Sequence, residues 1–262
     1  MKEQAVITGF VSGKGGVGKT SIVANIAVAA ARNRRVLVVD GDLGLSSLDV
    51  FLGLKTERTI AHVLAGECEL EDAIVEGPGG IHVLGAATAR SDLTCLHPHA
   101  LARLLVPLFA ASRAYDLIFV DVGPGVSPTV VSLALACDRL VLVTTPEPTS
   151  LADAYATLKI VTRERRDVEM QVVVNFARDA QEARDAHARL SRVSSRFLEL
   201  APPLLCELVK DARYEDAAKR QTPLVQAFPT ATASRQLVRL ADMLQRRPRS
   251  RRPVAMETRA EV

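Results

Sequence analysis

Residues 11–21 read VSGKGGVGKTS. Within them Gly13, Gly18, Lys19 and Thr20 satisfy GxxxxGK[ST], the phosphate-binding loop. The motif has the context it needs. Ahead of it runs the apolar stretch AVITGFVS (5–12), a predicted strand. Behind it, Gly18 to about Arg32 places Ile22, Ile26 and Ala29 on one helical face. Glycines in such a loop let backbone N–H groups turn inward around phosphate oxygens, and the following helix adds its dipole. Lys19 neutralises the β- and γ-phosphates, and the Thr20 hydroxyl faces Mg²⁺. The nucleotide-binding set is therefore Gly13, Lys14, Gly15, Gly16, Val17, Gly18, Lys19, Thr20 and Ser21. A plain loop of this kind needs one lysine. Lys14 is a second cation, repulsive to Lys19 in an empty loop and attractive to any phosphate entering it.

Beyond the loop, short apolar runs recur: RVLVVD (35–40), GIHVLGA (80–86), YDLIFVDV (115–122), DRLVLVTT (138–145) and EMQVVVNF (169–176). Nearly continuous apolar strands are covered on both faces. Helical patterns lie between them, around 98–112, 127–136, 150–164 and 180–197. Such alternation predicts an α/β fold with a doubly wound, mostly parallel sheet. Residues 1–246 read as one domain. The run RRPRSRRPVAMETRAEV (246–262) combines prolines and arginines with little apolar content, so a tail over 247–262 is expected to be disordered.

Several strand ends carry acids. Asp40 and Asp121 close predicted strands, and Asp42 follows in VVDGDLGLSSLDVFLGL. Carboxylates at the C-terminal ends of parallel strands face the ligand crevice. Asp121 in IFVDVGPG suits a water-mediated Mg²⁺ contact, and Gly125 completes DxxxG. Asp40 suits support of Asp42 or of a metal-bound water, with a turn or cap as the lesser alternative. In TTPEPTS (144–150), Pro146 and Pro148 exclude helix, and Thr149 or Ser150 is the expected cap of the next one.

Composition bounds the rest. The chain has 262 residues, 48% hydrophobic and 24% charged, ordinary for a folded globular protein. The formal charge is +3, but six arginines against two glutamates at the C-terminus leave the body near −1. A broad nucleic-acid face is not implied. Cys68, Cys95, Cys137 and Cys206 form no CxxC pair, which counts against a zinc, disulfide or iron-sulfur framework. His97 and His99, beside Pro98, read as incidental. No run has the length of a membrane span, and no signal-peptide pattern opens the chain. The expected location is the cytoplasm.

SGKGGVGKT resembles the deviant Walker A loop of the MinD/ParA ATPases, and the resemblance extends to about residue 245. It implies a P-loop NTPase that binds ATP and Mg²⁺ and forms an ATP-dependent homodimer. Lys14 would cross the interface to the partner subunit's phosphates, a trans charge stabiliser with a rate effect on the order of 10³. Asp42 would polarise the attacking water. Thr20, Asp40 and Asp121 would serve the metal. Asn175, ending MQVVVN, would bond the adenine amino edge, and Asp211 would remain from the base loop.

DGDLGLSSLDVFLGL, TTPEPTSLADAYATLK (144–159), VVVNFARDAQEA and AAKRQTPLVQAFPTATAS are similar to the flagellar number and placement regulators, FlhG/FleN/YlxH. This implies a regulatory protein partner, such as a flagellar GTPase or a transcription regulator. The alternatives within the group are DNA partitioning of the ParA kind and membrane-associated division-site regulation of the MinD kind. For the latter, Leu237, Leu240, Ala241 and Leu244 form an amphipathic face that would touch the inner side of the membrane transiently; packing on the sheet is the other reading. Three departures stand out. Cys206 and Val209 occupy positions where the group has glycine and proline. MKEQAVITGF goes almost directly into the first strand, so the glutamine-containing activating helix of some flagellar members is expected to be absent. Pro124 replaces a usual alanine and would stiffen the second switch.

Overall fold

Strand residues alternate between two cores. On β1 (Val6–Val11), Ile7 and Val11 enter one apolar cluster and Phe10 the other. On β2 (Val36–Gly41), Leu37 and Val39 face one side and Val36 and Val38 the opposite side. With both faces buried, every side chain of these strands can be apolar, which is why the runs are nearly continuous. The computed structural model describes residues 4–43, 47–86 and 98–247. The expected tail beyond 247, Cys95, His97 and the His99 side chain lie outside that description.

Six further strands complete one sheet: β3 (Ile74–Glu76), β4 (His82–Leu84), β5 (Leu117–Val122), β6 (Arg139–Thr144), β7 (Glu169–Ala177) and β8 (Leu204–Val209). Their spatial order is β3-β4-β2-β5-β1-β6-β7-β8. All neighbours are parallel except β3 against β4. The sheet is thus mixed and mostly parallel.

One face carries α4 (Pro98–Ala111), α5 (Pro128–Leu135), α6 (Pro148–Glu164) and α7 (Ala180–Leu198). The other carries α1 (Lys19–Ala30) and α10 (Thr232–Leu244), with the short α2 (Leu48–Leu52), α8 (Arg213–Lys219) and α9 (Leu224–Ala227). A further short helix, α3 (Ile60–Ala65), packs beside α4. Asp179 starts α7 by accepting from the Glu182 N–H at 2.8 Å, and Glu182 reaches back to the Arg178 N–H at 2.6 Å. This reciprocal pair satisfies amides that the helix start would otherwise leave bare.

Two expectations are settled by packing. Leu237, Leu240, Ala241 and Leu244 are buried against α1 and the sheet, so the apolar stripe of α10 is covered by this protein and not offered to a membrane. Its end is held by Arg139, which donates to the Leu244 and Arg246 carbonyls at 2.8 and 3.0 Å and to Thr8 Oγ1 at 3.0 Å. Burial pulls the Arg139 guanidinium below its ordinary pKa. The helix after TTPEP begins at Pro148, earlier than the expected cap at Thr149 or Ser150. Proline suits the first helical position because its missing N–H is not needed there. Ser150 instead bonds Thr144 Oγ1 at 2.9 Å and accepts from the Thr145 N–H at 3.1 Å.

Candidate functional site

The C-terminal ends of β1, β2, β5, β6 and β7 meet at one edge of the sheet, and the predicted site residues converge there. Gly18 caps α1 with a left-handed backbone, φ 84°. A Cβ on it would overlap Asn175 Nδ2, so glycine is required by both conformation and space. Gly13 is constrained differently: a Cβ there would overlap the Asp153 carbonyl of α6.

The two lysines point to different partners. Lys19 is buried, and its Nζ donates to Asp121 Oδ1, also buried. Lys14 is 43% exposed in its side chain and pairs with Glu147 Oε2 at 3.1 Å. Glu147 sits between the two prolines of the 144–159 run and caps α6 with its backbone. Gly15 and Gly16 are exposed at the loop crest, and Val17 is buried beneath it.

The acids divide similarly. Asp40 and Asp121 are register partners on β2 and β5. Asp40 is fully buried and accepts from the Asp42 N–H at 3.0 Å and the Leu48 N–H at 3.3 Å. The structure therefore gives Asp40 a capping role toward the Asp42 and Leu48 amides. Asp42 lies beside the second switch: a Cβ on Gly123 would stand 3.5 Å from its Oδ1. The switch is tied back to the loop by the Gly125 N–H, which donates to the Ser12 carbonyl at 2.9 Å. Thr20 Oγ1 lies 3.3 Å from Ser47 Oγ.

Beside the loop opens a cleft of about 930 Å³, lined by Ser21, Phe51, Thr145, Phe176, Asp211 and Tyr214 among others. Phe176 holds φ 56°, unusual for a bulky side chain, and meets Tyr214 edge-on at 6.3 Å. Asn175 Nδ2 donates to the Val17 carbonyl at 2.8 Å, which fixes the amide and turns its oxygen the other way. Asp211 is engaged by Arg213 through two side-chain bonds of 2.8 Å and one backbone bond of 3.1 Å. The Arg213 guanidinium holds the Asp211 carboxyl below the usual carboxylate range. Burial pushes the Tyr214 hydroxyl well above its ordinary pKa.

Among the described residues, buried polar atoms without a hydrogen-bond partner include Ser12 Oγ, Asp121 Oδ2, Thr145 Oγ1, Asn175 Oδ1 and Tyr214 Oη. All five border the loop or the cleft. Buried polar groups are almost always satisfied, so such a concentration fits a polar ligand. A carboxylate oxygen beside Lys19 suits a hydrated cation, and a fixed amide oxygen suits an amino group.

Sequence reasoning did not find Thr145, Phe176, Tyr214 or the pairing role of Glu147. Only Glu147 carried a signal, as an acid isolated between two prolines. The departures near β8 also have a local account. The Val209 N–H donates to Gln236 Oε1 at 3.1 Å, a bond proline could not make. Cys206 is buried in the α1/α10 core, which pushes its thiol up to about 12. Cys137 is buried on the other side of the sheet, and Cys68 is partly exposed. No group of three or more His, Cys, Asp or Glu able to hold a metal occurs among the described residues.

A family profile for ParA, described as NUBPL iron-transfer P-loop NTPase, matches residues 4–245. The antiactivator FleN of Pseudomonas aeruginosa is 39% identical over 223 residues, which is 85% of this chain and 80% of FleN. The flagellum site-determining protein YlxH of Helicobacter pylori is 34% identical over 70% of this chain and 62% of its own length. The septum site-determining protein MinD of Pyrococcus horikoshii, solved with Mg-ADP, superposes with a TM-score of 0.74 at 25% identity, covering 92% of this chain and 96% of that one. Loop, sheet order and relatives agree, and the chain belongs to the MinD/ParA family of P-loop ATPases, with the flagellar regulators FleN and YlxH among its relatives.

Proposed function

We propose that this protein is an ATP-hydrolysing switch that dimerises when ATP is bound and regulates the number or placement of a cellular structure, flagella in the first instance. The observation that carries this is the separation of the two loop lysines. Lys19 is buried on Asp121, while Lys14 stands at the surface on an exposed partner from which it can swing away. A lysine placed so is suited to the phosphates of a second subunit. The flagellar part is supported by the FleN and YlxH relatives and by the run 144–159.

In this reading Thr20 and, through water, Asp121 hold Mg²⁺, with Asp40 supporting the loop that faces it. Mg²⁺ supplies charge neutralisation on the transferred phosphoryl group. Asp42 orients the attacking water, Asn175 Oδ1 accepts from the adenine amino group, and Asp211 borders the base. The partner is a regulatory protein, and the location is cytoplasmic. No helix among the described residues is long and apolar enough to cross a membrane. The covered stripe of α10 makes a MinD-like membrane helix a poorer reading.

Lys14→Ala tests the dimer. ATP affinity should stay within a few-fold while ATP-dependent dimerisation and turnover fall by at least tenfold. A variant with unchanged dimer and turnover overturns the trans role. Deleting the gene tests the biology: altered flagellar number or placement is expected, whereas normal flagella with plasmid or chromosome loss would favour partitioning.

A further inference from the structure

α6 and α7 lie side by side on one face of the sheet. Both start at the nucleotide edge and run away from it, so their C-terminal ends lie at the opposite pole. With 17 residues, α6 spans about 25 Å at 1.5 Å per residue. Between the two far ends lies a second cleft of about 670 Å³. Its walls carry Lys159, Arg163, Arg166 and Arg196, against the single acid Glu199. Among the described residues none of these four cations has an ion-pair partner.

The apolar content is equally distinctive. Phe197 is 63% exposed, the most exposed large apolar side chain among the described residues. The Arg196 guanidinium lies over its ring, 5.2 Å from the centroid. Val193, one turn earlier on α7, is also exposed, and the half-buried Leu198 and Leu200 extend the wall inward. Cations near helix C-termini complement the macrodipole, which accounts for Arg163 and Arg196 individually. The dipole does not account for an uncovered aromatic ring inside a concave, unneutralised basic site.

We infer that this cleft is a docking site for an acidic peptide segment of a protein partner, with an aliphatic or aromatic side chain set against Phe197 and carboxylates against the four cations. Charge complementarity selects the sign. Concavity selects a peptide over duplex DNA, which needs cations strung along an extended track of phosphates. It also selects a peptide over a lipid surface, which needs a flat or convex apolar face. Because the cleft lies at the pole away from the phosphate loop, closure of two subunits over nucleotide leaves it open.

The test uses the full chain and fluorescein-labelled nine-residue peptides: one with five carboxylates around a central Phe-Leu pair, one with Phe-Leu replaced by Ser-Ser, and one with Lys in place of every acid. A short duplex DNA and phosphatidylglycerol vesicles serve as the other arms. Anisotropy should rank the first peptide above the second by about tenfold and show no binding of the third. Arg163→Glu with Arg196→Glu, and separately Phe197→Ala, should each weaken the first peptide at least tenfold while ATP affinity is unchanged. Hydrogen exchange should report protection at 159–166 and 196–200. All are surface changes, and circular dichroism with retained ATP binding checks the fold. Equal binding of the acidic and basic peptides, no effect of the substitutions, or DNA or vesicle binding lost in the same variants would each overturn the inference.

Discussion

Glu147→Gln probes the Lys14 contact without disturbing the fold. The bond is 3.1 Å long between side chains 43% and 64% exposed. Exposed pairs of this kind contribute about 0.2–1 kcal/mol. The Glu147 side chain makes no cap bond to α6, so the helix start should survive its neutralisation. If Lys14 must leave Glu147 to reach the other subunit, each dimer breaks two such pairs. At about 0.5 kcal/mol per pair, removing the competitor should tighten the ATP-dependent dimer about fivefold. The measurement is sedimentation equilibrium with Mg-ATP, carried out in an Asp42→Ala background to suppress turnover. The gain should be largest at low salt and nearly vanish at about 1 M, where the Debye length is about 3 Å. A Glu147→Gln dimer that is weaker at low salt would refute the argument and make Glu147 part of the interface. A gain that persists undiminished at high salt would refute the electrostatic account.

Asp42→Ala alone should bind ATP normally and accumulate dimer by light scattering; a monomer with normal turnover would remove its catalytic role. On the proposed reading, in which the buried and unpartnered Asn175 Oδ1 accepts from the adenine amino group, Asn175→Ala should cut the preference for ATP over GTP at least tenfold by calorimetry; unchanged discrimination would rule that out. Tyr214→Phe should leave urea stability unchanged or raise it by up to about 1 kcal/mol, because a buried hydroxyl without a partner is removed. A loss of 2 kcal/mol or more would mean the hydroxyl is satisfied in solution. The Asp211 carboxyl is depressed by its bonds to Arg213, so the stability it lends is present above its unfolded pKa and lost as pH falls through the lower folded value. Urea midpoints of the parent and Asp211→Asn should therefore differ at pH 7, begin to converge as pH falls below about 4, and meet only below the depressed folded value.

The parts legible in the sequence were those whose chemistry is local. The P-loop announces itself through fixed spacing, and the strands through apolar runs that only two-sided burial explains. Asp121 could be placed near a strand end because the apolar run breaks at Gly123 and Pro124, just beyond it. The rest depended on distant pairings. Glu147 is 133 residues from Lys14, and no period or composition connects them. Phe176 and Tyr214 shape the cleft only because β7 and β8 are neighbours. β3 has three residues, too few for any alternation to register, and its antiparallel pairing to β4 depends on the turn at 77–81. The α10 stripe was ambiguous for a different reason: the same four residues suit a membrane or a protein core, and only the groove beside α1 decides between them.

Gly13 lies against the Asp153 carbonyl so closely that not even a methyl group fits between them. The phosphate loop is therefore cast against the first turns of α6 with no slack. That helix is a stiff rod whose near end touches the loop and whose far end forms the basic cleft. A stiff rod with one end seated transmits a push as displacement, not as bending. A fraction of an ångström of axial movement at Lys159 or Arg163 would arrive at Gly13 and alter how the loop's N–H groups aim. Residues 148–159 form the body of that rod. Variation within it would set the mechanical gain between a distant binding event and the nucleotide.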